Sequence, residues 1–230
     1  MEPRTKYERT LVLCGAACAA ALMLIAVWPH FISGAIKAPY EDTLRDIARG
    51  KTVPPVIIAE TETALRVSQK WVQTGEISIA LGGMRFLVAR NAQSAVAQRA
   101  TLDQSISALK RGLSRRPAQP YAWLQLAQAE RVRNGATPSL EKYLDFSMRI
   151  APWEHRLVLP RLNVALGAWS ALSDPFKARL PGQFERAIDT APLQLAKVAR
   201  RNFALRAVRK MLAASPVHLE RFLIVYLSPD

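Results

Sequence analysis

Apolar positions divide this chain into two unlike parts. From Leu11 to Trp28 they form one uncharged run, whereas from Val56 onward they recur three and four apart among Arg, Gln and Glu. At 1.5 Å per residue the first run covers about 27 Å, close to the hydrocarbon core of a bilayer. Thr10 and Phe31–Ile32 complete a span over 10–32. The residues that follow, 33–55, are punctuated by Pro39, Gly50 and Pro54-Pro55 and read as a linker or short leading helix, with one short helix over Tyr40–Arg49.

Beyond the linker the helical period dominates and alternating β-branched runs are missing. The pattern predicts helices over Val56–Trp71, Glu76–Arg90, Ser94–Arg115, Pro120–Arg133, Pro138–Ile150, Trp153–Leu172, Pro175–Thr190, Leu193–Ala214 and Val217–Leu227. Thr137-Pro138, Asp174-Pro175 and Ser215-Pro216 pair a capping oxygen with a proline at the first helical position. In 193–214 the apolar stripe shifts near Asn202, which predicts a kink or two short helices there. Gly82-Gly83 lacks the strand and turn of a phosphate loop and suits close helix packing.

The segment Pro120–Pro152 carries a repeat-like order. Trp123, Leu126 and Ala127 share one helix, Gly135 turns, and Leu140, Leu144, Ser147, Met148 and Ile150 follow before Pro152. This resembles the tetratricopeptide (TPR) pattern, with one extra turn residue, Leu140 at a normally small position and Glu130 where an aromatic is usual. Pro117, Pro152 and Pro192 close successive helices 35 and 40 residues apart. The fold expected is therefore all-α: a single transmembrane helix, then a TPR-like α-helical repeat (α-solenoid) domain over 56–230. A non-repeating helical bundle with proline punctuation is the alternative. Stacked helix pairs would expose a concave surface for partner segments.

A second resemblance lies in Ala108–Pro117 leading into Tyr121–Ala127, and in Leu157–Leu162 leading into Ala168-Trp169. These stretches resemble small membrane-anchored, TPR-like proteins of alphaproteobacteria met in exopolysaccharide gene clusters. The resemblance covers roughly residues 100–200 and contains no catalytic motif. It implies a setting, envelope polysaccharide assembly, rather than a reaction.

Charge sharpens the picture. The chain has net charge +14, and from Phe31 onward 29 Lys and Arg face 16 Asp and Glu. Such a surface attracts anionic headgroups, acidic glycans or acidic proteins, and nucleic acid is the weaker expectation. Arg4, Lys6 and Arg9 form a basic tail over 1–9. With so short a tail the N-terminus is expected in the cytoplasm and the C-terminal domain in the periplasm of a bacterial inner membrane. Ser33-Gly34-Ala35 offers a signal-peptidase site, but the run is long for a signal, so a retained anchor is the reading. Within it Gly15 and Ala19 form a small-xxx-small pair suited to a helix–helix contact or dimer.

Chemistry is sparse. Both cysteines, Cys14 and Cys18, lie in the span, leaving the rest without disulfide or thiolate chemistry. No HExxH, Walker or Gly-x-Gly-x-x-Gly motif occurs, so no metal, no cofactor and no enzyme activity is expected. Glu154 beside His155 would point about 100° apart on a helix and cannot converge on one substrate atom. Two basic clusters stand out: Lys110–Arg111 with Arg115–Arg116, and Lys197, Arg200, Arg201, Arg206, Arg209 and Lys210. The second splits onto opposite sides of a helix and reads as a solvated face. Trp123 and Trp169 fall among leucines and are expected in the core, Trp153 at the surface. The residues selected for partner binding are Arg131, Arg133, Trp153, Arg156 and Arg161. The expected function is a periplasmic scaffold or adaptor for protein partners in exopolysaccharide synthesis or export. The alternatives are a salt-sensitive binder of anionic polysaccharide or membrane surface, and a degenerate glycan-active enzyme.

Overall fold

The computed structural model describes residues 6–48 and 51–228. Residues 1–5, Arg49-Gly50 and the last two residues, and with them Arg4 of the basic tail, lie outside the described residues. Thirteen α-helices occur among the described residues, with no strand. They are α1 (Lys6–Lys37), α2 (Glu41–Ala48), α3 (Pro55–Trp71), α4 (Gly75–Arg90), α5 (Ala95–Arg115), α6 (Pro120–Asn134) and α7 (Pro138–Ile150). Then come α8 (His155–Gly167), α9 (Asp174–Lys177), α10 (Pro181–Thr190), α11 (Pro192–Arg201), α12 (Leu205–Leu212) and α13 (Pro216–Leu227).

Helix α1 has 32 residues, hence a length of about 48 Å, and is long and apolar enough to cross a membrane. Its apolar window is fully uncovered by the rest of the chain. Gly15 and Ala19 are exposed on it, and a Cβ added at Gly15 would meet nothing within 4 Å. Within residues 33–55 the short helix expected over Tyr40–Arg49 is present as α2. Helix α1 runs on through Ser33–Lys37, and one 3-10 turn, Ala38–Tyr40, hands over to α2. Ser33 is buried against α3: the Ser68 hydroxyl donates to the Ser33 carbonyl at 3.1 Å and lies 2.6 Å from its hydroxyl. The apolar stretch of α1 is thus continuous with a helical segment clamped onto the domain.

After α3 the helices pack as successive neighbours, α3 on α4, α4 on α5, α5 on α6 and α6 on α7. A second set of contacts skips one helix: α4 meets α6, α6 meets α8, α8 meets α10, and α10 meets α12; α8 also meets α11, three helices on. The closest pair is α4 with α5, and glycine is the reason. A Cβ at Gly82 would lie 2.6 Å from Leu109 Cγ, and one at Gly112 would lie 2.6 Å from Ile79 Cγ1. Gly82 therefore serves close packing as expected, while Gly83 faces Gln125 of α6.

Several helix ends differ from the sequence pattern, each with a local cause. The helix expected over Trp153–Leu172 starts only at His155, where the Glu154 carboxylate accepts from Arg156 N, and ends at Gly167 before a 3-10 turn, Trp169–Ala171. The helix expected over Pro175–Thr190 is two, α9 and α10. The Pro181 ring would clash with the carbonyl of Lys177, four residues back, so α9 stops there. The cap of α9 is Ser173, whose hydroxyl accepts from Phe176 N, rather than Asp174. Ser215 does not cap α13 through its side chain; its hydroxyl meets His218 Nδ1 at 2.7 Å instead. Thr137 does cap α7, accepting from Leu140 N. The kinked helix over 193–214 resolves into α11 and α12, broken at Asn202–Ala204.

Candidate interaction surface

Helices α2, α4 and α6 frame an open cavity of about 350 Å³. Leu44 and Ile47 of α2 and Met84 of α4 give it apolar walls, while Gln119, Tyr121 and Gln125 contribute amides and a hydroxyl along α6. Gly83 makes room for this: a Cβ there would sit 3.1 Å from the Gln125 amide oxygen. The Arg116–Glu76 pair, 3.1 Å apart, bounds the groove with charges that neutralise each other. A second cavity of about 300 Å³ shares Leu44, Glu76 and Ala80 with the first and extends to Lys37 at the end of α1. The groove therefore runs along α2 toward the end of α1. Neutral amides beside apolar walls supply both donors and acceptors without a net charge, a chemistry that matches extended peptide backbone with apolar side chains.

Tyr121 stands at the edge of this groove under the influence of Glu154. Burial first, and the Glu154 carboxylate second, hold its hydroxyl above the ordinary tyrosine value of 10.0. The phenol is thus kept as a donor.

The five residues selected from the sequence do not form one surface. Arg161 is interior, 1% exposed, and is corrected from recognition residue to structural strut. Its Nε donates to Ser147 Oγ at 3.0 Å, its Nη1 to Ala151 O at 2.9 Å and its Nη2 to Ser147 O at 2.6 Å. It thereby covers the carbonyls at the C-terminal end of α7, where orphan acceptors collect. Burial without a carboxylate in contact lowers its pKa to about 10. Arg131 is half-buried and donates to Asn163 O of α8 at 3.0 Å, and burial lowers its pKa as well. Arg133 is held by Asp103 of α5 through two hydrogen bonds, 2.7 and 3.1 Å. Only Trp153 and Arg156 are exposed. Trp153 is 66% exposed, with the Arg186 guanidinium 4.6 Å from its ring centroid. Arg131 and Arg133 lie at the C-terminal end of α6, whereas Trp153 and Arg156 follow α7, whose end meets the start of α6 through Ser147 Oγ and Pro120 O at 2.8 Å. The two sets are therefore separated by most of the length of α6, about 15 Å.

Other sequence readings are sorted by the same geometry. Trp123 and Trp169 are half-buried; Trp123 stacks on Phe146 with ring centroids 4.7 Å apart, and Trp169 packs on the core of α8–α12. Glu130, at the aromatic position of the repeat pattern, is buried and accepts from the Thr137 hydroxyl at 3.1 Å. Arg200 belongs to the fold: its guanidinium donates to the carbonyls of Val225, Tyr226 and Ser228 at the end of α13. The groove residues were missed because α6 was read only for its buried stripe. Tyr121 and Gln125, one turn apart and off that stripe, were the available signal.

No family model, curated protein or solved structure matches the chain.

Proposed function

We propose that the chain is a membrane-mounted adaptor that holds an extended segment of a protein partner in the groove between α2, α4 and α6. The observation that carries this reading is the groove's placement. It begins beside Lys37, at the end of a helix that is continuous with the apolar span and clamped by Ser33 to Ser68. A flexible tether would leave a binding surface free to rotate; a clamped helix presents it at one height and angle over the bilayer.

The skip-one contacts from α4 to α6, α6 to α8, α8 to α10 and α10 to α12 support a TPR-like solenoid, with the closing prolines marking its units. The basic residues Arg4, Lys6 and Arg9 ahead of the apolar run support an N-in topology, with the groove on the periplasmic side of a bacterial inner membrane. The resemblance of residues 100–200 supports an exopolysaccharide synthesis or export complex as the setting, in which the chain acts without catalysis of its own. Gly15 and Ala19 give the span a face for a second membrane helix.

The test is cross-linking in native membranes. A photoreactive residue at Gln125 is expected to capture one protein partner at near-equal amounts, and Met84→Glu to abolish the capture by placing a charge in the apolar wall. Capture unaffected by Met84→Glu, or none at Gln125 while a probe at Trp153 does capture, would refute the groove as the binding site.

A further inference from the structure

At the turn between α11 and α12 the chain makes a choice that folding does not explain. Phe203 has φ +52° and is the one non-glycine residue at positive φ among the described residues. The turn is a helix-terminating motif in which Ala204 N reaches back to Ala199 O at 2.9 Å and Asn202 N to Val198 O at 3.2 Å. The residue that adopts the left-handed conformation in such a motif is ordinarily glycine, because a Cβ is crowded there. Here it is a phenylalanine, and its ring is 94% exposed, so it returns nothing to the core.

The surroundings say what the ring is for. Arg206 and Lys210, one turn apart on α12, line the same shallow cavity of about 250 Å³ as Phe203 and the half-buried Trp169. Arg201 immediately precedes the turn and is exposed. None of Arg201, Arg206 and Lys210 takes part in an ion pair among the described residues, and no acidic residue lies between Asp189 and Glu220. An acidic polymer would engage these cations but has no use for an exposed phenyl ring. A protein interface of ordinary size would need more apolar area than one ring. A projecting aromatic ringed by unpaired cations is complementary to anionic lipid, where the ring enters the acyl boundary and the cations meet the headgroups.

We propose that the α11–α12 turn is a second membrane contact: Phe203 inserts into an anionic bilayer surface while Arg201, Arg206 and Lys210 bind its phosphates. This rests on α1 lying in the same bilayer, which tethers the domain to a lipid surface, and is independent of what fills the groove. Together the two contacts would fix the domain at both ends.

The experiment uses the full chain in nanodiscs, with Cys14→Ser and Cys18→Ser, and an environment-sensitive fluorophore on Phe203→Cys. Discs of phosphatidylcholine alone are compared with discs containing phosphatidylglycerol. A blue-shifted emission in the anionic discs only is expected, weakened by salt, while the same fluorophore on Val96→Cys, an exposed site at the start of α5, stays aqueous. Arg206→Gln with Lys210→Gln is expected to lower the docked population on the order of thirtyfold, at about fivefold for each cation. Phe203→Gly removes the ring and the crowded Cβ together, so its melting temperature is expected to equal or exceed that of the parent. An aqueous probe in anionic discs overturns the proposal. So does a shift produced by soluble acidic polysaccharide instead of lipid, or by added membrane proteins in neutral discs. Incorporation into the disc is read separately by size: a chain that stays out overturns the anchor and this contact with it.

Discussion

Arg161 offers a demanding test of how this domain is held together. Its guanidinium is buried and makes three hydrogen bonds to the end of α7, yet no carboxylate among the described residues touches it. Each such charge-assisted bond contributes about 1.5–3 kcal/mol. Against that stands the cost of removing the charge from water. Holding the group at about 10, well below the ordinary guanidinium value, corresponds to about 3 kcal/mol. Arg161→Met gives up the bonds but also the buried charge, and Ser147 O and Ala151 O each keep a backbone donor. The net loss is about 3 kcal/mol. For a chain of this size that is a fall in melting temperature of about 6–12 °C.

Arg161→Lys is the informative comparison. It keeps the charge buried, but an ammonium cannot match the planar fork that reaches three acceptors, so it is expected to cost more, about 3–5 kcal/mol. The assay is thermal unfolding of the detergent-solubilised chain followed by far-ultraviolet circular dichroism. If Arg161→Lys melts above Arg161→Met, the charge is not desolvated and the reasoning fails.

Three further outcomes follow from the same geometry. Gly112→Ala would place a Cβ 2.6 Å from Ile79 Cγ1 and 2.9 Å from Gly75 O. It is expected to destabilise by about 1–3 kcal/mol in urea unfolding, whereas Gly83→Ala meets only the movable Gln125 amide and should be neutral or better. Ser68→Ala leaves the buried Ser33 hydroxyl without its partner, at about 1–3 kcal/mol. Amide exchange over Ser33–Lys37 should then quicken at least fivefold by mass spectrometry, and an unchanged rate would show that the pair does not hold the anchor to α3. Tyr121 has a folded pKa above its unfolded value of 10.0. The folded state therefore binds the proton more tightly, and this contribution to stability is complete below pH 10 and lost as pH rises through the folded pKa. A phenolate difference titration between the parent and Tyr121→Phe should show a late tyrosine, with Glu154→Gln moving it earlier; titration at the ordinary value would contradict the contact.

Much of this architecture is readable from residue order because it rests on short-range rules. An 18-residue apolar run is long enough for a bilayer whatever follows it. The helices over 120–134 and 138–150 follow from the spacing of Trp123, Leu126, Leu140 and Leu144 and from the Thr137 cap. At Pro181 the ring opposes the carbonyl of Lys177 and the helix breaks, whereas Pro160 is carried inside α8, a difference the hydrophobic stripe alone conceals. The candidate site was less legible. Arg161 has the same side chain as the exposed Arg156 and stands five residues from it, one and a half turns round the same helix. That offset puts one in the core and the other in water, and it acquires meaning only once α7 is seen to end against α8.

The chain's order of residues therefore suffices for what depends on neighbours within a turn or two: the membrane-length helix, the all-α class, the caps and the charge excess. The folded arrangement was needed for the clamp of Ser33 on Ser68, 35 residues apart, and for the groove between α2, α4 and α6. It was needed equally to show that Arg200 is occupied by α13 while Arg206 and Lys210 are free of ion pairs among the described residues, beside an exposed Phe203. Hydrophobic periodicity says which face of a helix is buried, but not against which other helix. Whether a cation serves the fold or a ligand depends on that second fact, because a carbonyl or carboxylate within 3 Å takes up its charge and open water leaves it available.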